Sequence, residues 1–327
     1  MSKFFAYAAC AAISCAAVFT ACQKEIVDNL ASEEKVTLNV TVPLPDTKVL
    51  TGMNETAIRN YQAFLFKDDG TIEDYTSQSS PNISLDCTTG KKTVVVLANA
   101  PSLGDVMDYE TLLTRTSRLS DNAADAFVME GKTGVTLLSK DATSVQVYLT
   151  RKVAKIHLAS LQVAIDMPQY SSKPFKVSSV YLINVPSEMP YFANDETLSW
   201  SNKFEYVPED DNALFYDDME DFEITPETQY TFNNVFYCYA NHTSTDTFNT
   251  EWSPRKTRLV VEATLGDERY YYPVSLPSLD SNKRYDVNLV ITRPGAKTPD
   301  SSVDKFALGV QCIVRDWDKG YTITQEI

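Results

Sequence analysis

Residues 36–42 read Val-Thr-Leu-Asn-Val-Thr-Val. Apolar and polar residues alternate without a break, and this period of two is typical of a β-strand with one buried and one exposed face. A Pro-Leu-Pro sequence follows at 43–45 and ends the strand, because proline cannot donate a backbone hydrogen bond to a sheet. We predict that the buried face of this strand consists of Val36, Leu38, Val40 and Val42.

Further short apolar runs, separated by turn-forming residues, continue to the end of the chain. They cover residues 58–66, 83–87, 92–98, 135–138, 145–149, 176–185, 231–239, 258–265, 269–276, 285–292, 306–317 and 321–327. The Thr-Thr-Gly at 88–90 predicts a hairpin between two of these runs. One helix is predicted over 105–118, with Ser102 or Asp105 as its N-cap. Many strands and few helices predict an all-β fold of antiparallel sandwiches with one or two short helices.

The alternation changes phase in the middle of the chain. Apolar residues occupy odd positions from 145 to 149 and even positions from 154 to 158. A shift of one residue sends side chains to the opposite face of a strand, as when a strand passes from one core to another or carries a bulge. We therefore expect a domain of residues 36–150 followed by a second domain of residues 151–327.

The amino terminus has the pattern of a bacterial export signal. Lys3 precedes an apolar, alanine-rich run, and Phe-Thr-Ala at 19–21 is followed by Cys22. Small residues before a cysteine form the site at which a lipoprotein signal peptide is cut, so residues 1–21 are expected to be removed and Cys22 to carry lipid. Residues 22–35 would then tether the fold to a membrane. An ordinary cleaved signal with an incidental cysteine is the alternative.

Composition argues against several classes of function. The formal net charge of −15 disfavours nucleic acid and anionic lipid surfaces as partners. His157 and His242 are the only histidines, and the sequence contains none of the common hydrolase, zinc-protease or nucleotide-binding motifs. Cys87, Cys238 and Cys312 remain after the signal, without CxxC spacing, and are expected to be buried small hydrophobic residues. No enzymatic activity, cofactor or metal is predicted.

Two features leave alternatives open. Residues 208–223 are strongly acidic, which is compatible with a solvated loop or with a calcium site, although the spacing is not that of an EF-hand. The run of tyrosines at 270–272, with Trp200 and Trp252, could form a carbohydrate-binding face or belong to the core and cross-strand pairs of a sandwich.

Several stretches resemble the fimbrillins of the Bacteroidales, the major subunits of type V pili. Residues 271–274, 282–295 and 309–317 read YYPV, NKRYDVNLVITRPG and GVQCIVRDW, similar to the end of these proteins. LTRKVAKI at 149–156 resembles their mid-chain strand, and GKKTVVVLAN at 90–99 resembles part of their first domain. The resemblance implies two tandem transthyretin-like β-sandwich domains.

The resemblance also implies a life cycle. Such a subunit is exported as a lipoprotein, loses its first strand to a protease that cuts after a basic residue, and polymerises when a strand of one subunit fills the vacated groove of the next. The candidate cleavage sites here are Lys48 and Arg59. Arg59 suits an arginine-specific, trypsin-like protease, but it lies at the start of the next predicted strand, so Lys48 fits the geometry better.

The carboxyl terminus supplies a candidate donor strand. In Tyr-Thr-Ile-Thr-Gln-Glu-Ile at 321–327, Tyr321, Ile323 and Ile327 share one face. This face could replace that of residues 36–42 by β-strand addition. Alternatively, the last strand pairs only within its own domain.

The sequence therefore predicts a structural subunit of a surface fimbria that serves adhesion. Expected partners are other fimbrial subunits, the activating protease, the outer membrane through the lipid on Cys22, and a ligand on host or bacterial surfaces. One alternative is a fimbrial anchor subunit, which would retain its first strand. Another is a glycan-binding surface lipoprotein, which would bind polysaccharide through aromatic residues and would not polymerise.

Overall fold

Strands account for most of the described residues of the computed structural model, which describes 34–43, 54–138, 143–192, 199–201, 214–244, 246, 254–303, 307–317 and 322–326. The strands there are β1 Lys35–Thr41, β2 Tyr61–Lys67, β3 Ile72–Gln78, β4 Asn82–Thr88, β5 Gly90–Ala98, β6 Thr116–Arg118, β7 Met129–Leu137, β8 Thr143–Gln146, β9 Thr150–Arg151, β10 Val153–Val163, β11 Phe175–Ile183, β12 Val185–Pro190, β13 Ser199–Ser201, β14 Tyr216–Ile224, β15 Gln229–Thr231, β16 Val235–Tyr239, β17 Arg258–Leu265, β18 Glu268–Ser275, β19 Lys283–Ile291, β20 Leu308–Asp316 and β21 Thr322–Glu326. The helices there are α1 Tyr109–Leu113 and the 3₁₀ helices Leu119–Asp121 and Pro168–Tyr170.

The strands form five sheets. Strands from the first half of the chain make a five-stranded sheet, ordered β3-β2-β5-β7-β9, and a three-stranded sheet, ordered β4-β1-β8. Later strands make a six-stranded sheet, β15-β10-β19-β20-β21 with β16 also on β10, and a four-stranded sheet, β14-β11-β17-β18. A small sheet, β13-β12-β6, combines strands from both halves. The predicted all-β sandwich fold is confirmed.

Two strand pairs depart from the expected antiparallel arrangement. β1 pairs parallel with β8, and β10 pairs parallel with β19, while the other pairs among the described strands are antiparallel. Both parallel pairs join strands far apart in sequence. A parallel partner cannot be reached through a tight turn, so these pairs leave no local signal in the sequence.

The core lies on both faces of some strands. β5 runs between β2 and β7, and its last five residues are buried without alternation. Val94 and Val96 point into the main core, whereas Val95 and Leu97 pack into a second cluster with Leu112 of α1. A strand covered on both faces appears in the sequence as a continuous apolar run, as residues 94–98 do.

Several expectations about local structure were wrong. The helix spans only 109–113, and its N-cap is Asp108, whose Oδ1 accepts from the Thr111 N–H at 2.7 Å. Residues 88–90 do not close a hairpin, because β4 pairs with β1 and β5 pairs with β2 and β7. β3 was not predicted. Part of the acidic stretch is not a loop, since residues 216–224 form the edge strand β14.

The phase change at 151–152 coincides with a change of sheet. β9 ends at Arg151 in the five-stranded sheet, and β10 starts at Val153 in the six-stranded sheet. One continuous apolar cluster nevertheless includes residues from both halves, from Leu38 to Leu289 and beyond. The division into domains at residue 150 stays a prediction.

The remaining cysteines are buried, as the sequence predicted. Cys87, Cys238 and Cys312 are buried, and all three thiols are free in this structure. Burial raises the pKa of each thiol, to about 12 for Cys312.

Among the residues that the structure describes, no helix is long and apolar enough to span a membrane.

Candidate functional site

β1 is the middle strand of its three-stranded sheet. It pairs antiparallel with β4 along its whole length and parallel with β8 over its last four residues. Beyond the ladder, the Val42 N–H donates to Pro81 O at 3.0 Å, and Thr41 O accepts from the Val147 N–H at 3.1 Å. Removal of β1 would leave a gap one strand wide between β4 and β8. Each of these two strands would then have a row of unpaired backbone groups that faces the gap.

The side chains of β1 follow the predicted alternation. Val36 is 8% exposed, and Leu38, Val40 and Val42 are at most 2% exposed, whereas the residues between them are exposed or half-buried. Leu38 lies opposite Leu85 of β4, which is also fully buried. Burying one such side chain is worth about 1.5–3 kcal/mol, so the four together contribute roughly 6–12 kcal/mol before ordering costs.

The backbone around Arg59, one of the two candidate cleavage sites, is held by a single asparagine. The Arg59 N–H donates to Asn99 Oδ1 at 2.8 Å, the Asn99 side-chain amide donates to Ala57 O at 2.9 Å, and the Asn99 N–H donates to Asn60 O at 3.1 Å. The Arg59 guanidinium is exposed and bonds Asp125 at 2.9 Å. The side chain of Arg59 is therefore accessible, but its backbone N–H is held in a hydrogen bond to Asn99.

Glu55, between the two candidate cleavage sites, has a fully buried carboxylate. Its Oε1 accepts from Lys155 Nζ at 2.5 Å and from the Tyr237 hydroxyl at 2.7 Å, and its Oε2 accepts from Trp317 Nε1 at 3.0 Å. The side chains of Glu55 and Lys155 are at most 1% exposed. Burial lowers the pKa of Lys155, and the hydrogen bond to Glu55 partly opposes that shift.

Aromatic rings and a second cation surround this carboxylate. The Trp317 ring stacks with Tyr237 at a centroid distance of 5.7 Å and meets Phe127 edge-on at 5.5 Å. The Arg151 guanidinium lies 4.7 Å from the Trp317 ring and donates to Glu55 O at 3.3 Å. We refer to Glu55, Arg151, Lys155, Tyr237 and Trp317 as the Glu55 cluster.

Lys152 makes a separate buried ion pair. Its ammonium contacts Glu130 Oε1 of β7 at 3.1 Å and donates to Tyr191 O at 2.6 Å. Burial lowers the pKa of Lys152 and raises that of Glu130, and each partner's charge opposes the other's shift. Three cations within residues 151–155 therefore hold distant segments of the chain against β9 and β10.

His157 is buried among polar partners inside the six-stranded sheet. Its Nδ1 lies 2.7 Å from Asp286 Oδ1, and its Nε2 lies 2.9 Å from Phe232 O. Arg284 and Arg315 also contact the Asp286 carboxylate, at 2.6 and 3.2 Å. This cluster joins β10, β19 and β20 inside the six-stranded sheet.

The candidate donor strand lies at an edge. β21 pairs antiparallel with β20 and has no second neighbour among the described strands. Ile323 occupies a place in this ladder, opposite Val314. The backbone pairing within the chain is the arrangement that the alternative interpretation expected, and the transfer of β21 to another subunit stays a prediction.

Several predicted site residues fall outside the part of the chain that the structure describes. They are Cys22, Lys48, Tyr321 and Ile327, together with the side chain of Ile323. Residues 36–42 of β1 and Arg59 are described, with the contacts given above.

The Glu55 cluster was not predicted from the sequence. A signal was nevertheless present, because Arg151, Lys152 and Lys155 interrupt an apolar pattern at positions that a strand would bury. Buried cations need an anionic partner. The sequence could not indicate which of the acidic residues supplies it.

The family model and the solved structures that match this chain both point to fimbrial proteins. Residues 35–162 match the model of the family described as major fimbrial subunit protein (FimA), so the match begins at β1. No curated protein matches the sequence significantly. A fimbrilin from Porphyromonas gingivalis has the same fold, with a TM-score of 0.64 and 16% identity over 86% of this chain and 98% of that one.

Two further solved structures are similar. A protein from Bacteroides eggerthii with a suggested role in cell adhesion gives a TM-score of 0.64 and 17% identity over 87% of this chain and 97% of that one. The tip fimbrial protein Mfa3 from P. gingivalis, with a C-terminal truncation, gives 0.55 and 14% identity over 87% of this chain and 100% of that one. At these identities the likeness is one of fold.

Proposed function

We propose that the chain is a fimbrillin-type structural subunit of a cell-surface fimbria that serves adhesion, because residues 35–162 match the family of major fimbrial subunits and a fimbrilin has the same fold. In this proposal a protease releases β1, and a strand of a neighbouring subunit takes its place. Other subunits of the fimbria are the main partners, and the lipid on Cys22 holds the precursor to the outer membrane before cleavage.

The central position of β1 carries this proposal. A strand at a sheet edge could leave without exposing a groove, but β1 separates β4 from β8. Its removal would expose unpaired backbone on both neighbours and the apolar surface that Leu38 and Val40 cover. Such a groove is the acceptor that β-strand addition requires.

The position of β21 supports it as the donor. β21 is held by one neighbour, so its release breaks a single ladder. A donor strand at the carboxyl terminus and an acceptor groove near the amino terminus make a heterologous, head-to-tail contact. Contacts of that kind generate open filaments when the rotation between successive subunits does not close a ring.

Cleavage after Lys48 fits the proposal better than cleavage after Arg59. A protease must bind the substrate backbone in an extended form, and the backbone at 57–60 is tied to Asn99 by three hydrogen bonds. A cut after Arg59 would leave only Asn60 ahead of β2, whereas a cut after Lys48 leaves all of β2 and the residues that precede it on the subunit.

Limited proteolysis tests the proposal. The chain without residues 1–22 is treated with limiting trypsin, the new amino terminus is mapped by mass spectrometry, and oligomer size is followed by gel electrophoresis in SDS without boiling. Lys48→Gln and Arg59→Gln are compared with the unmodified chain, and untreated protein is the control. We expect cleavage after Lys48 to be followed by a ladder of SDS-resistant oligomers, and Lys48→Gln to reduce the ladder.

Cleavage without a ladder would contradict the proposal. A chain that retains β1 after prolonged digestion would favour an anchor subunit that terminates the fibre. Saturable binding of a polysaccharide without polymerisation would instead favour a glycan-binding lipoprotein.

A further inference from the structure

Glu55 links the segment that follows β1 to the segment that precedes β21, and these are the two strands that move in the proposed exchange. It lies in the connection between β1 and β2, on the side of Lys48 that remains after cleavage there. Its carboxylate bonds Trp317, which directly follows β20 and precedes β21 by only a few residues. One buried side chain therefore marks both the point beyond which β1 can depart and the point from which β21 extends.

Apart from Trp317, the other members of the Glu55 cluster belong to strands that do not move in the proposed exchange. Lys155 of β10 and Tyr237 of β16 are opposite each other in the six-stranded sheet, and both bond Glu55 Oε1. Trp317 is enclosed by the rings of Phe127 and Tyr237. Its backbone N–H also donates to Asn282 O at 3.3 Å.

We propose that Glu55 is a positioning residue for assembly. Its carboxylate holds Trp317 in place just before β21, and the residue keeps the new amino terminus on the subunit after β1 has left. This inference rests on the proposed function. It requires the cleavage site to lie on the amino-terminal side of Glu55. A cut after Arg59 would remove the carboxylate and leave Lys155 buried without an anionic partner among the described residues.

We expect the two cleavage products to differ strongly in stability. Removing one member of a buried ion pair is strongly destabilising, because the remaining charge stays buried and uncompensated. A cut after Lys48 leaves the pair intact, since Glu55 is retained. Both cuts remove β1, so they differ mainly in the Glu55 cluster and the residues around it.

Trp317 itself reports on the cluster. In a Trp200→Phe, Trp252→Phe background, Trp317 is the only tryptophan, and its emission depends on whether the indole remains buried against Tyr237. The background protein must first melt like the unmodified chain. Its precursor is then cut, and emission and polymerisation are followed together.

Two comparisons test the proposal. The first compares Glu55→Gln with Glu110→Gln, a control at an exposed glutamate of α1. We expect Glu55→Gln to lower the melting temperature of the precursor by about 10 °C and to slow polymerisation by about tenfold or more after cleavage. Glu110→Gln should behave like the parent.

The second comparison needs no substitution at Glu55. Precursors that carry Lys48→Gln or Arg59→Gln fold with the cluster intact and are then cut at the remaining site. The product cut after Lys48 should keep the Trp317 emission of the precursor. The product cut after Arg59 should show a red-shifted emission and should not polymerise. This arm holds even if Glu55→Gln fails to fold.

The outcomes separate this inference from the proposed function. Equal emission and equal polymerisation of the two cut products would overturn the role of Glu55 while leaving strand exchange in place. A red shift confined to the product cut after Arg59, with no polymer from either product, would support the positioning role and contradict strand exchange.

Discussion

Replacing Leu38 by alanine should weaken the precursor and leave the fibre unchanged. Leu38 is fully buried in the middle of β1, opposite Leu85 of β4. Truncation of a buried leucine costs about 2–5 kcal/mol, the sum of lost transfer energy and of the cavity left behind. If β1 is absent from the assembled subunit, this cost applies only before cleavage and assembly.

Leu85→Ala is the matched control. Leu85 is equally buried and faces the same core, but it lies on β4, which stays in the subunit. Both variants should lower the free energy of unfolding of the precursor by a similar amount, measured by urea denaturation. In fibres, only Leu85→Ala should lower the temperature at which SDS-resistant ladders dissociate. Leu38→Ala should also accelerate the loss of the cleaved strand, by up to about 30-fold for 2 kcal/mol.

The comparison can refute strand exchange directly. Fibres of Leu38→Ala that dissociate at the same reduced temperature as fibres of Leu85→Ala would mean that β1 is still in place after assembly. The precursor measurements guard against a trivial result, because a Leu38→Ala precursor as stable as the parent would mean that β1 contributes nothing to the fold.

Two further predictions concern the donor side of the molecule. Burial alone would raise the pKa of Asp286, but the hydrogen bond from His157 and the charge of Arg284 lower it overall. A carboxyl group with a lowered pKa in the folded state stabilises the protein above its unfolded pKa, and this stability is lost as the pH falls. The melting temperature should therefore fall between about pH 5 and pH 3, and Asp286→Asn should reduce that slope; an unchanged slope would contradict the assignment. Gln325 shares the predicted donor face with Ile323, so insertion would bury an amide where β1 carries an apolar residue, at a cost of about 1–3 kcal/mol. Gln325→Val should raise the dissociation temperature of the ladders, whereas Thr324→Val, on the other face, should not.

The positions of several strands were readable from the sequence. The alternation of residues 36–42 gave the correct strand and the correct buried face, and residues 258–265 gave β17 with its bounds. Strand partners were not readable. The hairpin predicted at 88–90 is absent because the chain changes sheets there, and turn residues alone cannot distinguish a hairpin from such a crossing.

The helix was overestimated for a related reason. The apolar residues at 106, 109, 112 and 113 have helical spacing, yet the helix covers only 109–113, and residues 116–118 pair with β12. Val106 and Leu112 are buried in the same small cluster without belonging to one helix. Burial in a shared core produces the spacing that a helix would produce, so tertiary packing overrides the local signal.

The charged residues of the mid-chain strand carry information that the apolar pattern does not. Lys155 and Glu55 are 100 residues apart in sequence, and Trp317 and Glu55 are 262 apart. Apolar side chains tolerate many partners of similar size, whereas a buried ammonium requires one carboxylate at hydrogen-bond distance. The apolar residues of β1 can therefore be exchanged for those of another strand with a similar pattern, because nothing in such a face requires one particular partner. The Glu55 cluster cannot be exchanged in this way, since every member depends on the others. This difference in specificity agrees with the proposal that β1 leaves the subunit and the Glu55 cluster stays.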